Sequence, residues 1–425
     1  MNILLVNITP PLKHGLFPLG IAYLKAMVNS DVELKGKVDF FVANIAFKNA
    51  EERILAMLER NNYDLVGFAG YVWNISKVDY IAKHLKRNGI KIPIVIGGPE
   101  ASYDPGSFLS KYPHFDIAIC GEGEETFLEL VKTMNFNLGS DYFKDMDKIN
   151  GLAYNNGSIR VNPERFPMDL DILPSPYLEN DSMMDDYTYF PIETHRGCPF
   201  KCYFCFYNKN FSKVRYFPLE KIENELKFLF SRNITKLYIM DPTFNIDLKR
   251  AKKICKLIIK YNKKNIPIHT EIRAELVDEE FAELLKEANI TRVEVGLQSI
   301  NEGVLDLINR SYNKETFLDG INLLKKYDIE LDISIIIGLP GDTLSSFLRT
   351  YAFVESLNPE ILSAFIFQVL PGTHIYRNAD KFGVRFVSEP PYRIIETDTF
   401  SKEEIKQAEE MHHQKNLLKK NSGSI

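Results

Sequence analysis

The feature that most constrains this chain is an alternation, repeated along two stretches and broken once between them. Short apolar runs are followed by longer amphipathic stretches, with turn residues separating them. Apolar runs without strict polar alternation read as strands covered on both faces. A strand–helix–strand rhythm reads as a parallel sheet. Candidate strands in the first stretch are 2–8, 38–45, 65–71, 93–98 and 117–122; helices are expected at 19–30, 50–61, 75–88, 106–112 and 124–134. Five such units predict a doubly wound, flavodoxin-like α/β domain over residues 1–135. Its ligand belongs beyond the carboxyl ends of the strands, at the point where the strand order reverses.

Residues 136–188 break the rhythm. Residues 151–161 predict a hairpin turning at Asn155-Asn156-Gly157, and Leu173-Pro174-Ser175-Pro176 with the acidic stretch 181–186 reads as an ordered connector. From Tyr189 the alternation returns. Strands are expected at 191–195, 236–241, 267–272, 292–298, 331–338 and 362–369, with helices at 219–232, 248–262, 278–288, 314–327 and 343–356. Six units predict a partial (β/α)6 barrel over 189–375, with chemistry at the carboxyl ends of its strands. The tail, 376–425, ends in a charged helix that opens at Ser401 with a Ser-x-x-Glu capping box.

Composition excludes several classes. Of 425 residues, 45% are hydrophobic and 26% charged, which argues against wholesale disorder. Lys and Arg number 52 against 57 Asp and Glu, a net charge of −5 that gives no global support for a nucleic-acid partner. No apolar run approaches the roughly 18 residues of a membrane span. The opening Met1-Asn-Ile-Leu-Leu-Val-Asn reads as a first strand rather than a signal peptide. The five cysteines, Cys120, Cys198, Cys202, Cys205 and Cys255, are odd in number, which fits a reducing cytoplasm better than a disulfide framework.

Three of these cysteines crowd into Cys198-Pro-Phe-Lys-Cys202-Tyr-Phe-Cys205, directly after the first barrel strand. Three thiolates on one tight loop can hold three irons of a cubane cluster and leave the fourth open. Zinc is the competing reading. A structural zinc site wants four ligands, and His195 is the nearby residue that would complete one. Three merely packed cysteines are the bland alternative. Cys120 and Cys255 lack cluster spacing and read as small buried hydrophobes, and His412-His413 reads as a solvated helix pair.

Over most of 189–375 these residues resemble the radical S-adenosylmethionine (SAM) superfamily. The resemblance implies that Cys198, Cys202 and Cys205 bind a [4Fe–4S] cluster. It further implies that the open iron is chelated by SAM, and that one electron cleaves SAM to methionine and a 5′-deoxyadenosyl radical. Tyr203 and Phe204 stand where the family has an aromatic near adenine. Tyr238-Ile-Met-Asp-Pro-Thr243 replaces the usual Gly-Gly-Glu, which carries the SAM-amino contact onto Met240 and Asp241. Glu271 resembles the family's SAM-contacting glutamate. Val295-Gly-Leu-Gln-Ser299 resembles the Gly-x-Gln-Ser of the coproporphyrinogen-dehydrogenase-like branch, which implicates Gln298. Arg310 matches the arginine that pairs with the SAM carboxylate. Ile335-Ile-Ile-Gly-Leu-Pro-Gly341 resembles the motif flanking the adenine, which implicates Ile336; Ser334 stands where that branch often has a ribose-binding Asp.

Residues 1–135 resemble the cobalamin-binding domain of cobalamin-dependent radical SAM enzymes. The resemblance rests on Gly97-Gly98-Pro99-Glu100, on Gly121-Glu122-Gly123 and on Pro18-Leu-Gly-Ile-Ala-Tyr-Leu24. It implies cobalamin contacts from Thr9, Pro10, Tyr71, Trp73, Gly97, Gly98, Pro99, Glu100, Gly121, Glu122 and Gly123. The Asp-x-His-x-x-Gly cobalt-ligating motif is missing, since Leu12 and Lys13 precede His14-Gly15. The loop Tyr71-Val-Trp73-Asn74 would then face the lower side of cobalt; for Trp73, the single tryptophan, core or interface packing is the alternative. The implied activity is radical methylation of an unactivated carbon in a small-molecule or peptide substrate, fed by an external flavodoxin- or ferredoxin-type electron donor. Radical cyclisation, rearrangement or peptide crosslinking is the alternative within the family. A non-catalytic cobalamin or Fe–S sensor is the alternative outside it.

Overall fold

The computed structural model describes residues 1–10, 15–137, 142–207 and 213–421, with side chains as far as 418. The chain divides into two compact units, Met1–Thr188 and Tyr189–Ile425.

The first unit is built on seven strands: β1 (Asn2–Thr9), β2 (Asp39–Ala46), β3 (Leu65–Ala69), β4 (Ile94–Gly97), β5 (Ile117–Ile119), β6 (Leu152–Asn155) and β7 (Ile159–Val161). They lie in the order β2-β1-β3-β4-β5-β6-β7. The first five pair in parallel, in the flavodoxin-like order 2-1-3-4-5. Alternation along β1 sends Leu4, Val6 and Ile8 to one core layer, with Ile54, Val78, Ile81 and Leu109 from the helices on that face. Ile3 and Leu5 go to the other layer, with Ile21, Phe127, Leu130 and Val131.

The segment expected to be a linker belongs to this unit. The hairpin β6–β7 pairs antiparallel with β5, Ile117 opposite Tyr154 and Ile119 opposite Leu152. Without it, β5 would be an exposed edge with unpaired backbone groups. Farther on, buried Asn180 donates through Nδ2 to the carbonyls of Ala22 and Pro176, which returns the chain to the helix Leu19–Ser30.

The second unit contains β8 (Tyr189–Ile192), β9 (His195–Arg196), β10 (Arg215–Tyr216), β11 (Lys236–Ile239), β12 (Ile268–Ile272), β13 (Ile290–Gln298), β14 (Glu330–Ile337), β15 (Ile361–Ile366), β16 (Val384–Phe386) and β17 (Ile394–Thr397). β8, β11, β12, β13, β14 and β15 form one parallel sheet in chain order. This is the partial (β/α)6 barrel the alternation predicts. The helices Leu219–Ser231, Leu248–Tyr261, Glu279–Glu287, Lys314–Lys326 and Leu344–Ser356 make the crossovers. On β11 and β13 one set of alternate residues is apolar and buried, such as Leu237, Ile239, Val293 and Val295. The intervening residues of β11, β12 and β13 include Tyr238, His269, Glu271, Glu294, Gly296 and Gln298, which are less buried. The capping box at Ser401 forms in both directions, since Ser401 N–H donates to Glu404 Oε2 at 2.9 Å and Glu404 N–H donates to Ser401 Oγ at 3.3 Å.

Candidate active site

The cysteine loop begins where β8 turns into β9. Thr194 N–H donates to Asp241 Oδ1 at 2.7 Å, His195 N–H reaches the same oxygen at 3.3 Å, and the Thr194 hydroxyl donates to Oδ2. His195 Nδ1 lies 3.1 Å from Asp241 Oδ2. Asp241 therefore braces the start of the loop from the end of β11. Gly197, at φ +101°, then swings the chain into Cys198.

The loop is tied down along its length. Cys205 N–H closes a turn on the Cys202 carbonyl at 3.1 Å, and Tyr203 N–H donates to the Ile308 carbonyl at 2.9 Å. Asn309 Nδ2 donates to the Lys201 carbonyl at 2.8 Å. The Tyr203 ring stacks on His374 at 4.0 Å. The Arg273 guanidinium lies 4.2 Å over the Phe200 ring. Cys202 is buried, Cys198 and Cys205 are half-buried, and none of the three is in a disulfide.

This donor set suits a cluster. Burial pushes the Cys198 thiol up, while the Phe200 backbone and the Thr243 side chain hydrogen-bond to it and favour the thiolate. Arg310 Nη1 donates to Cys202 Sγ at 3.8 Å. Among the described residues no three His, Cys, Asp or Glu side chains converge as a single-ion site. A cubane asks for something else, one thiolate on each of three separate irons.

The residues implicated in SAM contact fall into distinct situations. Met240 is partly exposed at the end of β11, and its N–H donates to the Ile192 carbonyl at 2.8 Å. The Asp241 carboxylate is fully buried, accepts from Thr194 and lies 3.1 Å from His195 Nδ1. Glu271 accepts from Tyr238 O–H at 2.7 Å, and burial together with this carboxylate raises the Tyr238 pKa. Gln298 sits at φ +71° where the β13–β14 register shifts. A side chain at Gly296 would come within 2.5 Å of Gln298 Nε2, so Gly296 makes room for it. Arg310 also donates to the Gly296 carbonyl. Gln298, Gly296, Arg310 and Cys202 thus converge. Ser334 donates to Glu294 Oε1 at 2.8 Å and is buried, which leaves its hydroxyl committed within the strand layer; Ile336 is also buried. Phe204 is half-buried beside Tyr203. Sequence reasoning passed over Arg273 and Glu294 and took Tyr238 only as the start of a motif. Their one signal was that each is polar within or just after an apolar strand.

In the first unit, Thr9 and Pro10 end β1, and Tyr71 and Trp73 follow β3, so both pairs flank the switch point. Asn74, the last residue of the loop after β3, is buried. Its Nδ2 donates to the Ile8 carbonyl at 3.1 Å and the Ala69 carbonyl at 2.9 Å, and its Oδ1 accepts from Tyr71 N–H at 2.8 Å. It stitches the ends of β1 and β3 together. Tyr71 and Trp73 stack at 4.4 Å with rings 6° from parallel, and Trp73 stays 44% exposed, which makes it a flat apolar platform rather than core packing. Gly98 lies against Gly70: a Cβ there would be 2.6 Å from the Gly70 carbonyl oxygen. Pro99 and Glu100 open a short helix beyond it. Gly121 (φ +74°) has open space where a Cβ would go, Glu122 accepts from Met168 N–H at 3.1 Å, and Gly123 precedes the helix Glu124–Phe136. Glycines and a stacked aromatic pair at one strand-end rim fit a large flat ligand. His14 lies outside the described residues.

The profile of the Radical SAM superfamily matches residues 192–354, and that of the B12 binding domain matches residues 11–131. This chain belongs to the B12-binding class of radical SAM enzymes. An uncharacterised methyltransferase, PH0819 of Pyrococcus horikoshii, is 28% identical to this radical SAM protein over 85% of this chain and 78% of that one. The anaerobic magnesium-protoporphyrin IX monomethyl ester cyclase of Rubrivivax gelatinosus is 25% identical over 84% of this chain, which spans 64% of the cyclase. Among solved structures, the radical SAM methyltransferase TsrM of Kitasatospora setae, with cobalamin and a [4Fe-4S] cluster bound, shares the fold. Its TM-score is 0.73 at 18% identity, covering 92% of this chain and 82% of that one. Among the described residues no helix is long and apolar enough to cross a membrane.

Proposed function

We propose that this radical SAM enzyme is a cobalamin-dependent methyltransferase acting at an unactivated carbon of a small molecule or peptide. The observation that carries the reading is the convergence of Cys202, Arg310, Gly296 and Gln298 at the carboxyl ends of the barrel strands, in a chain that also carries a glycine-lined switch point. When bound, the cluster supplies the electron that splits the SAM sulfonium, and cobalamin carries the methyl group. Cys198, Cys202 and Cys205 hold three irons. Arg310 and Gln298 take the SAM carboxylate, Glu271 and the backbone of Met240 and Asp241 take its amino group, and Tyr203, Phe204 and Ile336 border the adenine. The rim formed by Thr9, Pro10, Tyr71, Trp73, Gly97, Gly98, Pro99, Glu100, Gly121, Glu122 and Gly123 would hold cobalamin, with the Trp73 ring supplying apolar contact. An external flavodoxin- or ferredoxin-type protein delivers the electron.

The test is product stoichiometry in an anaerobic assay with SAM, methylcobalamin and a reductant. Methyl transfer consumes two SAM per turnover and yields S-adenosylhomocysteine and 5′-deoxyadenosine in equal amounts. The cyclase relative favours ring closure as a second reading. That chemistry gives 5′-deoxyadenosine with no S-adenosylhomocysteine, and this outcome would replace methylation.

A further inference from the structure

Three consecutive residues grip the cysteine loop. The Ile308 carbonyl accepts from Tyr203 N–H at 2.9 Å, Asn309 Nδ2 donates to the Lys201 carbonyl at 2.8 Å, and Arg310 Nη1 donates to Cys202 Sγ at 3.8 Å. The clamp is set by local conformation. The short helix Glu302–Leu307 ends at Ile308, and Asn309 turns the chain at φ +52°, a left-handed conformation that asparagine tolerates. The guanidinium is fixed at its other end by the Gly296 carbonyl on β13. Its donor therefore addresses the sulfur of Cys202 from a position anchored at both ends. Arginine carries five N–H donors, so this bond and a ligand carboxylate can be served together.

A thiolate that ligates a cluster takes on part of the negative charge added on reduction. A charged N–H donor at that sulfur stabilises the reduced form more than the oxidised form, and hydrogen bonds to the sulfurs are among the determinants of cluster potential. Arg273 places a second guanidinium near the same loop, over Phe200. We propose that Arg310 is a positioning residue that raises the reduction potential of the cluster by hydrogen-bonding the Cys202 thiolate. This role is distinct from any contact with SAM, and it rests on the cluster reading above.

The experiment is a potentiometric titration of the reconstituted full-length protein without SAM, followed by the electron paramagnetic resonance signal of the reduced cluster, with dithionite as reductant. Arg310→Met is expected to disfavour reduction about tenfold, which lowers the midpoint by about 59 mV for a one-electron couple. Arg310→Lys keeps the charge without the planar fork, so its midpoint falls by less. An unchanged midpoint in both variants, at wild-type iron content, overturns the proposal. If Arg310→Met assembles no cluster, Arg310→Lys decides alone: a lowered midpoint supports the proposal and an unchanged one overturns it. Wild-type protein that shows no [4Fe–4S] signal at all overturns the cluster reading itself, and this inference with it.

Discussion

Gly98 holds a backbone conformation, φ +108° and ψ −178°, that is essentially reserved for glycine. Its missing Cβ is also what lets it lie against the Gly70 carbonyl oxygen. Gly98→Ala should therefore destabilise the first unit by at least the roughly 1–3 kcal/mol of such strain. Gly121→Ala, whose Cβ meets open space, should cost only the left-handed penalty of about 1–2 kcal/mol. Denaturant unfolding of the two variants reads the difference, and equal losses would contradict this account of the rim. At this scale the sequence was legible where the signal is local. Cys198, Cys202 and Cys205 stand out because their spacing lies within one loop. Asp241 was not legible as a brace, because its partners Thr194 and His195 are 47 and 46 residues away and nothing nearby shows where its carboxylate points. The same holds for Ser334, whose partner Glu294 is 40 residues away on the neighbouring strand.

The elements were largely readable from periodicity, and the exceptions have physical causes. The hairpin β6–β7 was visible as a hairpin, but its attachment to β5 depends on an edge that only the assembled sheet presents. The helix Glu302–Leu307 is too short to show a period. The C-terminal helix Lys402–Asn421 was readable as charged, and His413 is exposed, yet His412 is half-buried and hydrogen-bonded. Its Nε2 accepts from the Ala364 N–H of edge strand β15 at 3.3 Å and lies 3.0 Å from Asn416 Nδ2, and its Nδ1 lies 3.1 Å from the Tyr351 hydroxyl. Burial, and after it the neighbouring His413, lowers its pKa below the usual 6.5. The Lys415–Glu355 ion pair flanks the contact. A histidine held neutral when folded contributes fully above its unfolded pKa, and the contribution is lost as pH falls through the lower folded value. Protonation puts a proton on Nε2, which then cannot accept from Ala364. The protection of the Ala364 amide, meaning its exchange relative to an unstructured chain at the same pH, should therefore fall on acidification from neutral pH to about 5. His412→Gln should lose that pH step, and a step that survives the substitution would assign the effect elsewhere.

At the scale of the whole molecule, the chain carries two units, each with a set of parallel, helix-linked strands and a rim of loops at their carboxyl ends. The alternation of strand and helix made both units legible, and short motifs marked both rims, because parallel α/β folds place ligands at the carboxyl ends of strands. What motifs could not convey was the supporting chemistry: Asn74 stitching β1 to β3, and Arg310 reaching Cys202 across 108 residues of sequence. The central claim is that one chain holds a three-cysteine cluster and a corrinoid at separate sites. The direct measurement is the iron, sulfide and corrinoid content, with the absorption spectrum, of anaerobically purified wild type and of the triple variant Cys198→Ala, Cys202→Ala, Cys205→Ala. The account predicts cluster and corrinoid bands together in the wild type, and loss of iron and sulfide with retained corrinoid in the variant. Iron that persists in the variant, or zinc in place of iron in the wild type, would contradict it.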